Sequence, residues 1–362
     1  MSRATLVRMH DIERHRPAIP LVRRAAVAAL VAAAATGGAH AASFDCKAAK
    51  TPTEKAICGS PKLSALDERL AQDYERALHA LSPAGAARLK ESQRSWLRFA
   101  TQVCTPGKRP GHGETTAECL ETEFGRRLEQ LAQAGVRVGP YVFNRVDYYT
   151  AARSHDDTGF HNGFVTQHVA FAQIDVPVNP ATTAWNTAQR KDDPGTLEVS
   201  SDPDEDSEDD DTDYTLGCAG DRFVSLQVDS SAYNHGTPHG TYSHEVNNMV
   251  LVPAARKMAA DDLFVAKAPW KAKLPALFWS AYTQDPDANK DLPSIKEAIE
   301  TAAANPDRWL LTAAGLQISF DAYEAGCYAC NPGPITVPWA NLKPMLASPE
   351  FAACKAPPAA KP

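Results

Sequence analysis

The chain has 362 residues, 44% apolar and 22% charged, with 37 Lys+Arg against 44 Asp+Glu and a net charge of -7. That length accommodates two modest domains with cores of their own, and the composition excludes a disordered chain or one built of membrane spans. The acidic balance argues against a nucleic-acid binder.

At the start of the chain, Arg23 and Arg24 precede the apolar run AAVAALVAAAA, which leads into GGAHA, a small-x-small cleavage pattern. Residues 1–41 therefore read as a secretory signal peptide. The run falls well short of the roughly 20 residues that cross a bilayer, so no stable membrane span is expected after cleavage. Removing 1–41 takes away six Arg and two acids and shifts the net charge from -7 to -11. The expected location is the periplasm or the medium.

All eight cysteines follow this segment: Cys46, Cys58, Cys104 and Cys119 early, and Cys218, Cys327, Cys330 and Cys354 late. An even count in an exported chain points to disulfides. Nearest-neighbour bridges, Cys46 to Cys58 and Cys104 to Cys119, are preferred among the three pairings that four cysteines allow. The late connectivity stays open. Cys327-Tyr-Ala-Cys330 has the spacing of a redox pair, but it follows a strand-like segment instead of opening a helix, so a structural bridge is expected. No paired C-x-x-C repeat suggests a zinc ribbon.

Residues 43–135 read as a helical domain. TPTEKAIC offers Thr51 or Thr53 as an N-cap with Glu54 as a capping partner. In PKLSALDERLAQDYERALHAL, Leu63, Leu66, Leu70, Tyr74, Ala77 and Leu81 recur at helical spacing, with the charges mainly on the solvated side. Ser82, Pro83 and Gly85 interrupt the pattern before Leu89, Trp96 and Phe99 resume it, and ECLETEFGRRLEQLAQ forms a further helix. Trp96 and Tyr74 are expected in the core.

The order FDC, TPTEKAIC, LSALDERLAQDYERAL, QRSWLRFATQVC, AECL and FGRRLEQL resembles the LprI-type lysozyme-inhibitor domain, a small secreted helical module. The resemblance runs over roughly 90 residues, from Cys46 to beyond Leu128, and includes Gln93, Trp96, Arg98 and Arg126. It implies a lysozyme-binding protein.

Residues 138–355 read as an α+β domain. YVFNRVDYYTAAR is strand material, GFVTQHVAFAQIDVPV a mixed segment, and no helix dominates the stretch. Residues 201–213 follow, with nine acids between Asp202 and Asp213. Such a block repels itself and is expected to be a solvated loop, without the spacing of an EF-hand. DRFVSLQVDSSAY alternates as a strand, NHGTPHGTYSHEVNNMVLV is a turn into another, DLPSIKEAIETAAAN is helical, and GLQISFDAYEAG and GPITVPWANLKPML complete the chain. VSLQVDSSAY, the turn from His235 to Tyr242, DDLF and LQISFDAYEAGCYACNPGPITVPWANLKPML resemble the extracellular C-terminal domain of RsiV-type anti-sigma factors, which sense lysozyme. The chain departs from that family in its acidic block, in Cys327 and Cys330, and in lacking a membrane span and a sigma-binding segment. The fold class is thus two domains, a small disulfide-bridged α-helical one followed by an α+β one.

His235, His239, His244 and Glu245 lie within 11 residues, but His244-Glu245 is followed by Val-Asn-Asn, so the zinc signature H-E-x-x-H is absent. There is also no G-x-S-x-G elbow, phosphate loop or dinucleotide fingerprint. Neither catalytic residues nor a cofactor or metal is assigned. The expected function is binding of c-type lysozyme or another basic protein, with inhibition by occlusion of its sugar cleft. The resemblance and turn exposure nominate His239, Tyr242, Tyr323 and Glu324 as contacts, and charge nominates Asp204, Glu205 and Asp209. Two alternatives stand beside this: a non-catalytic envelope sensor or scaffold that binds peptidoglycan or a periplasmic protein, and a metal hydrolase built on His235 and His239.

Overall fold

Thr51 opens the first helix through a reciprocal cap: its hydroxyl accepts from the Glu54 N–H, and the Glu54 carboxylate accepts from the Thr51 N–H at 2.8 Å. Helix α1 (Pro52–Gly59) is followed by α2 (Pro61–Ala80), capped by Ser60, and α3 (Pro83–Val103), capped by Ser82. All three begin with proline, whose missing N–H costs nothing at a helix start. Thr115 and Glu118 repeat the reciprocal cap ahead of α4 (Thr116–Leu131). The computed structural model describes residues 42–104, 115–154, 163–190 and 208–358. The expected signal peptide, Asp204 and Glu205 lie outside them. No described helix is long and apolar enough to cross a membrane.

Leu63, Leu70 and Ala77 of α2, Leu89, Trp96 and Phe99 of α3, and Leu120, Phe124 and Leu128 of α4 form one apolar core. Trp96 is fully buried, 5.2 Å from the Phe124 ring, whereas Tyr74 is only partly buried at its edge. The bridges Cys46–Cys58 and Cys104–Cys119 form as the spacing suggested. They fasten α1 to the turn before it and α3 to α4.

The core does not end with the helices, because Tyr149 and Phe164 from the following sheet belong to it. That sheet has seven strands in chain order: β1 (Val136–Val138), β2 (Tyr141–Arg153), β3 (Phe164–Val176), β4 (Glu208–Ala219), β5 (Phe223–Asn234), β6 (Thr241–Val250) and β7 (Arg256–Lys257). Every neighbouring pair is antiparallel except β3 and β4, which run parallel with Gln167, His168 and Val169 opposite Asp210, Asp211 and Thr212. Helix α5 (Pro180–Ala188) lies in the crossover that this parallel step requires and buries Trp185.

The chain then forms α6 (Ala260–Leu263), α7 (Trp270–Tyr282), α8 (Pro293–Ala304), β8 (Leu310–Leu311), β9 (Gly315–Ile318), β10 (Ile335–Pro338) and α9 (Trp339–Leu342). The last three strands make a small antiparallel sheet. Phe264, Trp270, Phe278, Ile299 and Trp309 fill the core between these elements and the large sheet. Cys218 of β4 is bridged to Cys354, 136 residues on. In the chain-entropy model, closing so long a loop removes on the order of 5 kcal/mol of unfolded-chain freedom.

The fold departs from two of the expectations above. The acidic block 201–213 is not a loop throughout, because Glu208 to Asp213 begin β4 and Asp209 is fully buried. Cations and donors far away in sequence offset the repulsion that the run itself suggests. The stretch after Val138 also holds the undetected helices α5 and α7. In α7, Trp270, Leu274 and Phe278 share a buried face, although Pro275 interrupts the pattern.

Candidate functional site

His168 on β3 stands between two carboxylates, with Nε2 3.2 Å from Asp147 Oδ1 and Nδ1 3.3 Å from Asp211 Oδ2. Asp147, on β2, also accepts from Arg145 Nε at 2.7 Å and from Arg127 Nη1 of α4 at 2.8 Å. Arg145 forks onto Asp213 of β4 at 2.7 and 3.0 Å. Helix α4 and strands β2, β3 and β4 are thus joined by one network, in which Arg127, Arg145, Asp147 and His168 are buried and Asp211 and Asp213 are partly exposed. Burial alone would raise the Asp147 carboxyl, but Arg145, His168 and Arg127 hold it well below the usual range. Burial likewise works against a charged His168, yet its bonds to Asp147 and Asp211 outweigh that and raise its pKa. Beside the network, a cleft of ≈ 410 Å³ opens between α4 and the sheet, lined in part by Phe99, Arg126, Tyr149, His168, Asp210 and Asp211.

Asp209, nominated for a basic partner, faces inward. Its Oδ1 accepts from the Thr166 N–H and hydroxyl at 2.6 and 2.8 Å, and its Oδ2 lies 2.9 Å from His235 Nε2. The three histidines of the turn part company. His235 goes to Asp209, His244 Nδ1 lies 2.7 Å from Asp229 Oδ1, and His239 is exposed. Among the described residues, no group of three or more His, Cys, Asp or Glu side chains is placed to hold a metal.

The other four nominated residues come together on the surface, where the β5–β6 turn meets the loop between β9 and β10. His239 Nδ1 lies 3.0 Å from the Gly240 carbonyl, which can only accept, so Nδ1 carries a proton. In the neutral ring, Nε2 is then the acceptor for the Tyr323 hydroxyl at 2.8 Å. The His239 ring stacks on Tyr328 at 4.1 Å, and Tyr328 meets Tyr242 edge-on at 5.7 Å and Tyr323 at 5.8 Å. Four aromatic rings therefore form one patch, with Tyr323 48% exposed at its crest.

The loop under the patch is braced at several points. Asp321 Oδ1 accepts from the His244 N–H at 2.7 Å, and the Ala322 N–H donates to the Tyr242 carbonyl at 2.9 Å. Asn331 Nδ2 donates to the Tyr242 hydroxyl at 2.9 Å and to the Asp321 carbonyl. Glu324 is one of these braces: it accepts from Arg308 Nη2 and from the Asp321 N–H, each at 2.8 Å. Tyr323 is held in the left-handed region, φ 66°, which side chains other than Gly rarely adopt. Cys327 and Cys330 are bridged to each other across Tyr328 and Ala329. Sequence reasoning missed Tyr328; its signal was a tyrosine enclosed by a short cysteine pair.

A disulfide-bridged helical module followed by a sheet-rich α+β body defines the class of chain. Residues 46–131 match the family model described as Lysozyme inhibitor LprI, and residues 261–340 match a second, described as a protein of unknown function, DUF3298. The chain therefore carries an LprI domain at its N-terminal end and a DUF3298 domain toward its C-terminal end. Among solved structures, a DUF3298 family protein from Bacteroides fragilis is 15% identical, with 59% of this chain and 99% of that one covered at a TM-score of 0.38. Another, from Pseudomonas aeruginosa, is 14% identical, with 61% and 98% covered at a TM-score of 0.42. No curated protein matches the chain.

Proposed function

We propose that this is an exported envelope protein that binds c-type lysozyme and inhibits it by covering the sugar cleft, without chemistry of its own. The observation that carries the reading is the match of residues 46–131 to the lysozyme-inhibitor family model, together with the two bridges within that segment. Eight cysteines in four disulfides suit an oxidising compartment. After loss of residues 1–41 the chain carries -11, which attracts a basic enzyme over distance and speeds encounter.

Charge brings partners together, but a specific complex needs desolvated anchors, for which aromatic rings are well suited. His239, Tyr242 and Tyr323 supply them in this reading, with Glu324 holding the loop. Asp204 and Glu205 contribute to steering, whereas the buried Asp209 acts as an internal brace.

The test is titration of the mature, disulfide-intact protein against a c-type lysozyme, with binding and peptidoglycan hydrolysis followed at low and physiological salt. The reading expects a one-to-one complex that persists in salt and suppresses hydrolysis. Binding that vanishes at physiological salt would reduce the charge argument to nonspecific attraction. Binding without loss of hydrolysis would favour a sensor or scaffold.

A further inference from the structure

Four disulfides stand in different surroundings. Cys218 and Cys354 are buried, Cys104 is buried, and Cys46, Cys58 and Cys119 are partly covered; Cys327 alone among the eight is exposed. Cys218–Cys354 spans 136 residues and the two N-terminal bridges span 12 and 15, but Cys327–Cys330 spans only 3. Constraint of the unfolded chain grows with the loop closed, so this last bridge contributes least to the fold as a whole. Its effect is local. The two residues it encloses are Tyr328 and Ala329, and Tyr328 is the ring on which His239, Tyr242 and Tyr323 converge.

We infer that Cys327–Cys330 is a redox-sensitive clasp on the aromatic patch, opened by a dithiol and closed by its disulfide form. In the opening step a thiolate of the dithiol attacks the exposed Cys327 sulfur and Cys330 leaves as a thiolate. The dithiol's second thiolate then attacks its own sulfur in the mixed disulfide and releases Cys327. The dithiol is oxidised to a disulfide, the protein gains two thiols, and the reverse sequence restores the bridge.

Opening removes the tether on either side of Tyr328. Its neighbours remain braced, since Asn331 still holds Ala325 and Tyr242, and Arg308 still holds Glu324. Reduction therefore releases one ring from the patch and leaves the surrounding fold in place. The consequence for a partner rests on the reading under Proposed function; the clasp itself does not.

The experiment treats the mature, folded protein with dithiothreitol without denaturant, traps thiols by alkylation, and maps them by mass spectrometry. NMR signals of the His239 ring report the patch, and lysozyme binding is measured on the same samples. The expected result is alkylation of Cys327 and Cys330 before any other cysteine, with a shift of the His239 signals that is reversed on reoxidation. Lysozyme affinity is expected to fall about tenfold, and likewise in Tyr328→Ala, which keeps the bridge.

Reduction of this pair only together with the buried bridges would overturn the proposal, as would selective reduction that leaves the His239 signals unmoved. A selective, reversible His239 shift with no lysozyme binding in either state would support the clasp and sink the lysozyme reading instead. Cys327→Ser/Cys330→Ser provides a permanently open form, and Tyr328→Ala keeps the comparison should that double variant fold poorly.

Discussion

Arg127 of α4 donates to Asp147 of β2 across 2.8 Å, and both side chains are only 1% exposed. The LprI domain is therefore fastened to the sheet by an ion pair sealed from water. Removing Arg127 leaves Asp147 with Arg145 and His168 as its charged partners and strips the buried Gln93, Gln130 and Ser92 of a shared donor, which costs far more than a surface pair is worth. Arg127→Met is expected to destabilise the protein by about 3–5 kcal/mol in urea unfolding. Arg69→Met, whose side chain is 49% exposed beside Asp73, is expected to change stability by under about 1 kcal/mol. Equal losses in the two variants would show that the buried pair has no special role.

His168 makes stability depend on pH in a direction that can be stated. Its pKa is raised in the folded protein, against burial, by the Asp147 and Asp211 carboxylates. Its contribution is therefore fully present below the unfolded value, about 6.5, and is lost as pH rises through the folded value. His168→Gln is expected to lose most stability, relative to the parent, near pH 5, and the gap is expected to narrow in alkaline solution. Denaturant midpoints for both proteins over that range check this, and a gap independent of pH would contradict it.

Trp96 is 1% exposed, in contact with Phe124, and has the Arg127 guanidinium 5.9 Å from its ring centroid. Trp96→Ala is expected to cost about 3–5 kcal/mol through the cavity it leaves. Trp96→Phe is expected to retain much of that stability. Thermal unfolding of both variants decides whether the ring is a structural anchor or a surface contact.

Tyr323 allows the patch to be tested apart from the fold. Because its backbone sits at φ 66°, Tyr323→Gly removes the ring while easing the strain of the left-handed conformation, and stability is expected to hold or rise by about 1 kcal/mol. Lysozyme affinity is expected to drop about tenfold or more. Unchanged affinity in a stable variant would remove Tyr323 from the proposed contact.

The helices of the N-terminal module were legible because period and punctuation agreed: Thr51 with Glu54, and the break at Ser82 and Pro83, mark starts that the apolar spacing then continues, whereas α5 and α7 were not legible. Strand β2 was legible to its ends, since YVFNRVDYYTAAR spans the observed Tyr141–Arg153. Asp209 was not, because a run of acids says nothing of partners supplied from elsewhere. Thr166 is 43 residues before it and His235 26 after. His239, Tyr242 and Tyr323 stood out singly in the sequence, but that their rings gather around Tyr328 depends on the fold. Glu324 was placed in the right loop, but its pairing with Arg308 depends on a bend that only the fold creates.

The parallel step between β3 and β4 is short, running only from Gln167 to Val169, whereas β2 and β3 pair along their whole length. Backbone bonds are thus sparse at the middle of the large sheet, and side chains bridge it: His168 to Asp211, and Arg145 to Asp213. Drawing β4 away from β3 would break few backbone bonds, but it would also part the apolar core that Phe143 and Ile174 share with Tyr214 and Leu226. One side would keep α1–α4 with β1–β3, the other β4 onward, and the buried Arg145 and His168 would face water without Asp213 and Asp211 as partners.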